Sequence, residues 1–247
     1  MMTKIIHYET IDSTNRVAKE MAADGATHGT VITADYQTAG RGRFGRQFFS
    51  PAGNGIYMSM IVSPLELGLT TPTLITAFAA VVVCDAVNKI CGKQPKIKWV
   101  NDIFLEGKKI CGILTESVTG AETVVLGIGI NFSTPKGGFP DGIDSTAGAI
   151  FSEDTHEEPH PSRESLIQSI ITTVLAGCHS NEEMLAEYKS RMFILGQTLT
   201  VLAPGESYEA VAIDVDDIGM LVIKKPNGEV VKLSSGEVSI RNCQGIN

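Results

Sequence analysis

A segment rich in glycine and arginine, residues 37–49, lies beside a stretch with the composition of a β-strand, residues 30–37. Its glycines match the pattern G-x-G-x-x-G, which in a dinucleotide-binding fold ends a strand and opens a helix. Residues 50–55 have the composition of a turn, and residues 56–62 are typical of another strand. Because a strand follows where that fold requires a helix, the sequence excludes the dinucleotide-binding interpretation.

The positive charge of this segment is a local feature. The chain has a formal net charge of -8 at pH 7, which argues against general binding along a nucleic-acid backbone. Arg41, Arg43 and Arg46 repel one another unless an anion lies among them. A kinase phosphate loop also joins two strands, but the Val-Ala-Ile-Lys and His-Arg-Asp motifs of kinases are absent from the sequence. We therefore predict an anion site, with a solvated structural loop as the alternative.

The composition is that of an ordinary globular protein. Hydrophobic residues make up 43% of the 247 residues, which allows one large domain or a large domain with a small one. No apolar run has the length of a signal-peptide core or approaches the roughly 18 residues of a membrane span, so we expect a cytoplasmic protein that does not enter a membrane. The five cysteines are scattered and form no C-x-x-C pair, which favours reduced thiols over disulfides or a zinc site.

Residues 156–160, His-Glu-Glu-Pro-His, match the letters of the H-E-x-x-H zinc motif. That motif binds zinc because a helix places both histidines on one face. Pro159 and the following Pro161 prevent a regular helix here. The sequence therefore predicts no zinc site at these residues.

Hydrophobic periodicity predicts an alternation of strands and helices in the first part of the chain. Strands are predicted near Ile5, at residues 30–37, 56–62 and 122–132, with a hairpin formed by residues 97–105 and 109–116. Helices are predicted after residues 12–15, over residues 71–92, and from the caps Ser162 and Asn181 onward. Beyond Gly196, five short strands separated by turns predict a small all-β domain, an open barrel. We therefore divide the chain into residues 1–195 and residues 196–247.

Alternation along the second strand of the hairpin places Lys109, Cys111 and Ile113 on one face. Gly112 weakens that strand unless a ligand or another backbone must come close. Lys109 stands beside this opening. On spacing alone, however, an ordinary solvated lysine is the commoner explanation.

Three polar residues, Ser13, Thr14 and Asn15, precede the first helical pattern. These residue types dominate helix N-caps, so capping alone can explain them. A helix N-terminus with spare hydroxyl and amide groups also suits a polar ligand. The residues by themselves leave both explanations open.

Six motifs, taken in order, resemble those of the biotin protein ligases, and the match runs nearly from end to end. They are Asp-Ser-Thr-Asn at 12–15, Gly-Arg-Gly-Arg-Phe-Gly-Arg at 40–46, Lys-Trp-Val-Asn-Asp at 98–102, Lys-Ile-Cys-Gly-Ile-Leu at 109–114, Gly-Ile-Gly-Ile-Asn at 127–131 and Gly-Glu-Val-Ser-Ile-Arg at 236–241. Each motif alone is weak, whereas six in order are highly specific. The resemblance implies an α+β fold, in which a mixed-sheet catalytic domain of the biotin/lipoate ligase type precedes a small SH3-like β-barrel.

The activity that the resemblance implies has two steps. Biotin and ATP form biotinyl-5′-AMP and pyrophosphate, and biotin is then transferred to a specific lysine of a biotin carboxyl carrier protein. ATP, Mg²⁺, biotin and the carrier domain are thus the expected ligands and partners. DNA binding is not expected, because the motifs begin at Asp12 and leave no space for a helix-turn-helix domain. The sequence leaves open whether the chain is a monomer or a homodimer.

The resemblance also assigns site residues. Biotin binding is implied for Ser13, Thr14, Asn15, Gln37, Gly40, Arg41, Gly42, Lys109 and Gly112. Nucleotide binding is implied for Arg43, Arg46, Trp99, Asn101, Asn131 and Arg241, and Asp102 is the candidate Mg²⁺ ligand. Lys109, Arg41 and Arg43 are the expected catalytic residues, because cations between the biotin carboxylate and the α-phosphate offset the repulsion of like charges.

Departures from the family pattern are apolar exchanges: Phe48 for Trp, Val100 for Pro and Cys111 for Ala. A lipoate protein ligase is the alternative enzyme, but its Arg-Arg and Gly-Gly-Gly tracts are absent from the sequence. A non-catalytic regulator that binds biotin or a nucleotide is the alternative from another class. Retention of Lys109 and the loop arginines argues against it.

Overall fold

The computed structural model describes residues 3–152, 161–203, 206–234 and 237–240. Within these residues, the N-terminal part contains β1 (Lys4–Ile11), α1 (Thr14–Ala23), β2 (Thr30–Gln37), β3 (Gly55–Val62), α2 (Leu74–Cys91), β4 (Lys96–Lys98), β5 (Asp102–Leu105), β6 (Lys108–Ser117), β7 (Val124–Asn131), α3 (Arg163–Ala176) and α4 (Asn181–Arg191). The C-terminal part contains β8 (Thr198–Ala203), β9 (Glu206–Val215), β10 (Leu221–Lys224), β11 (Val230–Leu233) and β12 (Glu237–Ile240). The predicted order of helices and strands is confirmed, except over residues 97–105.

Seven strands form the larger sheet, in the order β1-β2-β3-β7-β6-β5-β4. β1 and β2 run parallel, and the other neighbouring pairs run antiparallel. On one face, α2, α3 and α4 pack against the sheet in the main hydrophobic core. On the other face, α1 packs against β2, β3 and β7. The sheet is therefore mixed, as the resemblance implies, and it carries helices on both faces.

The main core is built around α2. Twelve of its 18 residues are buried, so it is apolar on most of its circumference, as a fully enclosed helix must be. Among the described helices it is the one long and apolar enough to cross a membrane, and its position between the sheet, α3 and α4 accounts for that composition. The helix ends at Gly92, whose φ of 65° is the left-handed conformation that favours glycine at this position.

The caps of the two later helices are serines. Ser162 accepts a hydrogen bond from the backbone N–H of Ser165 at the start of α3, as predicted. The prediction of Asn181 as the cap of α4 is wrong, because Ser180 accepts the N–H of Glu183 there. The Asn181 side chain instead donates to the carbonyl of Gly68, so it connects α4 to the loop before α2.

The predicted single strand over residues 97–105 is also wrong. Residues 99–101 form a turn, and β4 and β5 on either side of it pair with each other, with Lys98 opposite Asp102. Tyr188 of α4 donates from its hydroxyl to the carbonyl of Val100 at 2.9 Å. This tertiary contact holds the turn, and the apolar periodicity of the segment does not reveal it.

The five C-terminal strands form a second, antiparallel sheet in the order β11-β10-β9-β8-β12. It packs against the N-terminal part through the turn between β9 and β10. There, the carbonyl of Gly219 accepts the indole N–H of Trp99 at 3.0 Å, and the carbonyl of Ile218 accepts the hydroxyl of Thr73. The predicted small all-β unit is confirmed, while its SH3-like closure and the division at residues 195 and 196 stay predictions.

Candidate active site

A strip of glycines crosses the α1 face of the larger sheet. Gly112 of β6 pairs with Gly129 of β7, and Gly127 lies two residues before Gly129 on the same face. A Cβ at Gly127 would lie 1.9 Å from Oδ1 of Asn15, and a Cβ at Gly129 would lie 2.7 Å from the ring of Phe48. Glycine at these positions therefore lets α1 and residues 37–49 rest directly on the backbone of the sheet.

A buried polar network lies where the N-terminus of α1 meets this strip. The backbone N–H of Thr14 donates to Oε1 of Gln37 at 2.8 Å. Ser59, which projects from β3, has its hydroxyl 2.8 Å from Oγ1 of Thr14 and 2.6 Å from Oδ1 of Asn15. All four side chains are at most 9% exposed. Such buried groups need their hydrogen bonds satisfied, so the network holds Thr14, Asn15 and Gln37 in defined positions.

Ser13 occupies the N-cap position of α1, yet its side chain makes no capping hydrogen bond. Its backbone N–H donates to the carboxylate of Asp12. The hydroxyl is buried, with the residue 1% exposed. Capping by the Ser13 hydroxyl therefore does not explain this residue, and a polar ligand at the helix N-terminus stays a prediction.

Residues 40–48 form a narrow hairpin. Arg41 bridges to Gln47, the N–H of Gly42 donates to the carbonyl of Arg46 at 2.7 Å, and a short 3-10 turn covers Arg43–Gly45. Arg43 donates from Nη1 to Oδ1 of Asn101 at 3.0 Å. This contact ties the arginine segment to the turn before β5.

Phe48 ends this hairpin, and its ring covers the glycine strip. The ring lies at van der Waals distance from the Cβ position of Gly112 and packs edge-on against Tyr57 at a centroid distance of 6.5 Å. Phe48 therefore supplies an aromatic wall of the site at the position where the family commonly has Trp.

Lys109 projects onto the same face as Gly112, which corrects the predicted alternation. Ile103 pairs with Cys111 while the next residue, Phe104, pairs with Lys109, so β6 contains a bulge at Ile110. The Nζ of Lys109 is 3.6 Å from the Cβ position of Gly112, whereas Cys111 is fully buried in the core. The bulge turns the lysine out of the face of Cys111 and aims it at the glycine strip.

Asp102 is the nearest anionic partner of Lys109. The carboxylate Oδ1 lies 2.6 Å from Nζ of the lysine. This oxygen is buried, and its contact with Lys109 is a salt bridge. The pair places one cation and one carboxylate at the edge of the strip.

The other predicted nucleotide residues are held by backbone contacts. Asn101 donates from Nδ2 to the carbonyl of Ile113, and Asn131 donates from Nδ2 to the carbonyl of Gly148 at 2.8 Å. Trp99 is 4% exposed, and its indole N–H donates a hydrogen bond to the carbonyl of Gly219 in the C-terminal part. Nucleotide binding by these residues stays a prediction, and for Trp99 the structure shows a packing role.

Glu116 is a site residue that the sequence does not predict. Its carboxylate accepts from Nδ2 of Asn15 at 2.9 Å and pairs with Lys19 at 3.0 Å. Burial raises the pKa of Glu116, but the hydrogen bonds from Asn15 and Lys19 and the charge of Arg41 outweigh it, so the pKa lies below its ordinary value. The carboxylate therefore stays ionised and fixes the Asn15 amide.

Ser59 was missed as well, although the sequence carried a signal for it. It is a polar residue in the middle of the apolar strand Gly55–Val62 and is fully buried. A buried hydroxyl in such a strand implies a polar partner. For Glu116 there was no such signal, because its partner Asn15 lies 101 residues away.

Three features named from the sequence lie outside the described residues: Arg241, the zinc-like residues 156–160 and Cys243.

The fold and this site define a class of ligases, and comparison with known proteins agrees. The Biotin/lipoate A/B protein ligase family matches residues 8–133, and the Biotin protein ligase C terminal domain matches residues 194–241. The chain belongs to the biotin/lipoate A/B protein ligase family.

Among its relatives is the bifunctional ligase/repressor BirA of Bacillus subtilis, which is 31% identical over 96% of this chain and 74% of that protein. The biotin--[acetyl-CoA-carboxylase] ligase of Mycobacterium tuberculosis is 30% identical over 92% of this chain and 85% of that protein. A solved structure of the biotin protein ligase of Aquifex aeolicus in complex with biotin and ATP is similar with a TM-score of 0.79 and 25% identity, covering 97% of this chain and 99% of that one.

Proposed function

We propose that this protein is an ATP-dependent biotin protein ligase. It joins biotin to ATP to form biotinyl-5′-AMP and pyrophosphate, and it then transfers biotin to a lysine of a biotin carboxyl carrier domain with release of AMP. Biotin-ligase relatives that align over nearly the whole chain support this activity. The observation that carries it is the bulge that aims Lys109 at the glycine strip, beside the buried polar network.

Biotin binds along the glycine strip. Its ureido ring has both N–H donors and a carbonyl acceptor, and the hydroxyl and amide groups of Thr14, Asn15 and Gln37 can satisfy both kinds of group. Ser13 lies at the same helix terminus. The acyl chain then runs toward Lys109 past the ring of Phe48, which lies over the strip at Gly112 and Gly129.

Lys109 acts on the charges that develop in both steps. The biotin carboxylate must attack the α-phosphate of ATP, which brings two anionic groups together. A cation at the junction stabilises this approach and the charge on the leaving groups. Arg41 and Arg43 add positive charge from the hairpin above, which also shields the acyl-adenylate from water.

Mg²⁺ fits at Asp102, together with the phosphates of ATP. Among the described residues, no group of three or more metal-binding side chains gathers, but Mg²⁺ commonly binds through one or two carboxylates plus substrate phosphates. The carboxylate of Asp102, whose Oδ1 is paired with Nζ of Lys109 at 2.6 Å, is the oxygen group that would hold the ion. When bound, the ion would neutralise phosphate charge.

We further infer that the reaction takes place in the cytoplasm. Four cysteines of the described residues are free thiols, as expected in a reducing compartment. In the cytoplasm the protein would have access to ATP and to the carrier domains of carboxylases. Fluorescence microscopy of a tagged chain tests this placement, and export of the tagged chain from the cell would contradict it.

The experiment that tests the activity is exchange of labelled pyrophosphate into ATP. We expect exchange that depends on biotin and does not occur with lipoate. Exchange with lipoate and none with biotin would identify a lipoate ligase instead. Binding of biotin without exchange would identify a non-catalytic regulator.

A further inference from the structure

The hairpin of residues 40–48, called here the arginine hairpin, is closed by backbone hydrogen bonds between the chain segments at its two ends. The backbone N–H of Phe48 donates to the carbonyl of Gly40 at 2.9 Å, and the N–H of Gln37 donates to the carbonyl of Ser50 at 3.3 Å. Ser50 is 3% exposed, and its hydroxyl lies between these two ends. A buried hydroxyl at this point is a candidate link between the polar network and the hairpin.

The direction of each hydrogen bond in this link follows from its donors. The backbone N–H of Thr14 can only donate, so Oε1 of Gln37 is the acceptor and Nε2 is the end that faces Ser50. Nε2 donates to Oγ of Ser50 at 2.9 Å, and the Ser50 hydroxyl donates its own hydrogen to the carbonyl of Phe48 at 2.9 Å. The chain of bonds thus runs in one direction, from α1 through Gln37 and Ser50 to the hairpin.

The atoms of the same hydrogen-bonded link lie close to the Cα of Gly40. A Cβ at this position would lie 2.5 Å from Oγ of Ser50, 3.0 Å from Nε2 of Gln37 and 2.4 Å from the carbonyl oxygen of Phe48. Each of these atoms is a member of the link. The absence of a side chain at Gly40 therefore makes room for the bonds of Ser50.

We propose that Ser50 is a positioning residue for biotin, acting through Gln37 and coupling it to the arginine hairpin; this inference rests on the proposed function. Gln37 has one Nε2 hydrogen held by Ser50, and among the described residues the second has no acceptor, so it is left for an acceptor on the ligand. The acceptor on biotin that matches is the carbonyl oxygen of the ureido ring. Ser50 itself touches no substrate.

The test is a double-mutant cycle in the pyrophosphate exchange assay, with the wild-type chain, Ser50→Ala, Gln37→Ala and the double variant. We expect Ser50→Ala to raise the KM for biotin about tenfold, with the KM for ATP and the kcat changed by less than about twofold. In the Gln37→Ala background, Ser50→Ala should add nothing, because the link is already cut. Ser190→Ala, which removes an exposed serine hydroxyl on α4, is the matched control and should match the wild type.

The outcomes separate the two claims. Wild-type kinetics in Ser50→Ala, or an additive effect of the two substitutions, would overturn the positioning role alone. Absence of biotin-dependent exchange in the wild-type chain would overturn the proposed function and this inference with it. If Ser50→Ala does not fold, Ser50→Cys takes its place, because its thiol is a weak donor and acceptor of similar size. Its KM for biotin should then exceed that of the wild type, and an unchanged KM would overturn the inference.

Discussion

Gly127→Ala is the substitution that most sharply tests the geometry of the site. The added Cβ would lie 1.9 Å from Oδ1, 2.7 Å from Cγ and 2.9 Å from Nδ2 of Asn15. Real Cβ atoms do not approach other atoms this closely, so the Asn15 amide must leave its place. Asn15 is 5% exposed, and hydrogen bonds with Ser59 and Glu116 hold its amide in place.

The magnitude follows from the bonds that the displaced amide gives up. A hydrogen bond to a charged group such as Glu116 contributes about 1.5–3 kcal/mol, and a neutral one such as that from Ser59 contributes about 0.5–1.5 kcal/mol. We therefore expect the free energy of unfolding to fall by roughly 2–4 kcal/mol. The KM for biotin should rise as well, because Asn15 no longer stands where the ureido ring binds.

Urea denaturation of the purified variant measures this loss. Gly112→Ala is the control for stability, since the nearest atoms to its Cβ position are at ordinary contact distances of 3.4–3.6 Å, and its unfolding free energy should change by less than about 1 kcal/mol. In the double variant Asn15→Ala/Gly127→Ala the clash is gone, so its stability should match that of Asn15→Ala alone. Wild-type stability of Gly127→Ala, or additive effects in the double variant, would refute the packing described for Asn15.

Three further predictions concern charged residues. Lys109→Ala should lower the rate of biotin-dependent pyrophosphate exchange by at least about 100-fold with an unchanged circular dichroism spectrum; full turnover would contradict the role of this lysine. Arg41→Ala should release biotinyl-5′-AMP into solution before a carrier is added, as measured by chromatography of the filtrate, and complete retention of the adenylate would count against the hairpin as a cover. Glu116 has a pKa below its ordinary value of 4.5, so its stabilising effect is present above pH 4.5 and is lost as the pH falls through the lowered pKa. The midpoint of urea denaturation should therefore depend less on pH in the Glu116→Gln variant than in the wild-type chain. An equal pH dependence of the two midpoints would contradict a stabilising role of the ionised Glu116.

Local patterns in the sequence predicted most of the elements. The β-branched residues before the arginine segment and the strand after it are local features, and β2 and β3 lie where they indicate. The same holds for α2, whose end at Gly92 follows from the left-handed conformation that glycine favours. The glycines of β6 and β7 also indicated close approach, and α1 and Phe48 approach there.

The arrangement of the site could not be predicted in the same way, because it depends on contacts between distant residues. Strict alternation placed Lys109 on the face of Cys111, and a bulge opposite β5 reversed this. A bulge is set by the pairing of two strands and leaves no periodic trace in one of them. Likewise, Asn15 reads as a helix cap from its neighbours, and its role in the network depends on Ser59 and Glu116.

Transfer of biotin to a carrier domain tests the proposed activity most directly. The purified chain would be incubated with ATP, Mg²⁺, biotin and a biotin carboxyl carrier domain, and the mass of the carrier would then be measured by mass spectrometry. We expect the carrier to gain the mass of one biotin, and to gain nothing when ATP is omitted or when its acceptor lysine is replaced by arginine. A carrier that remains unmodified in the complete mixture would contradict the proposed activity.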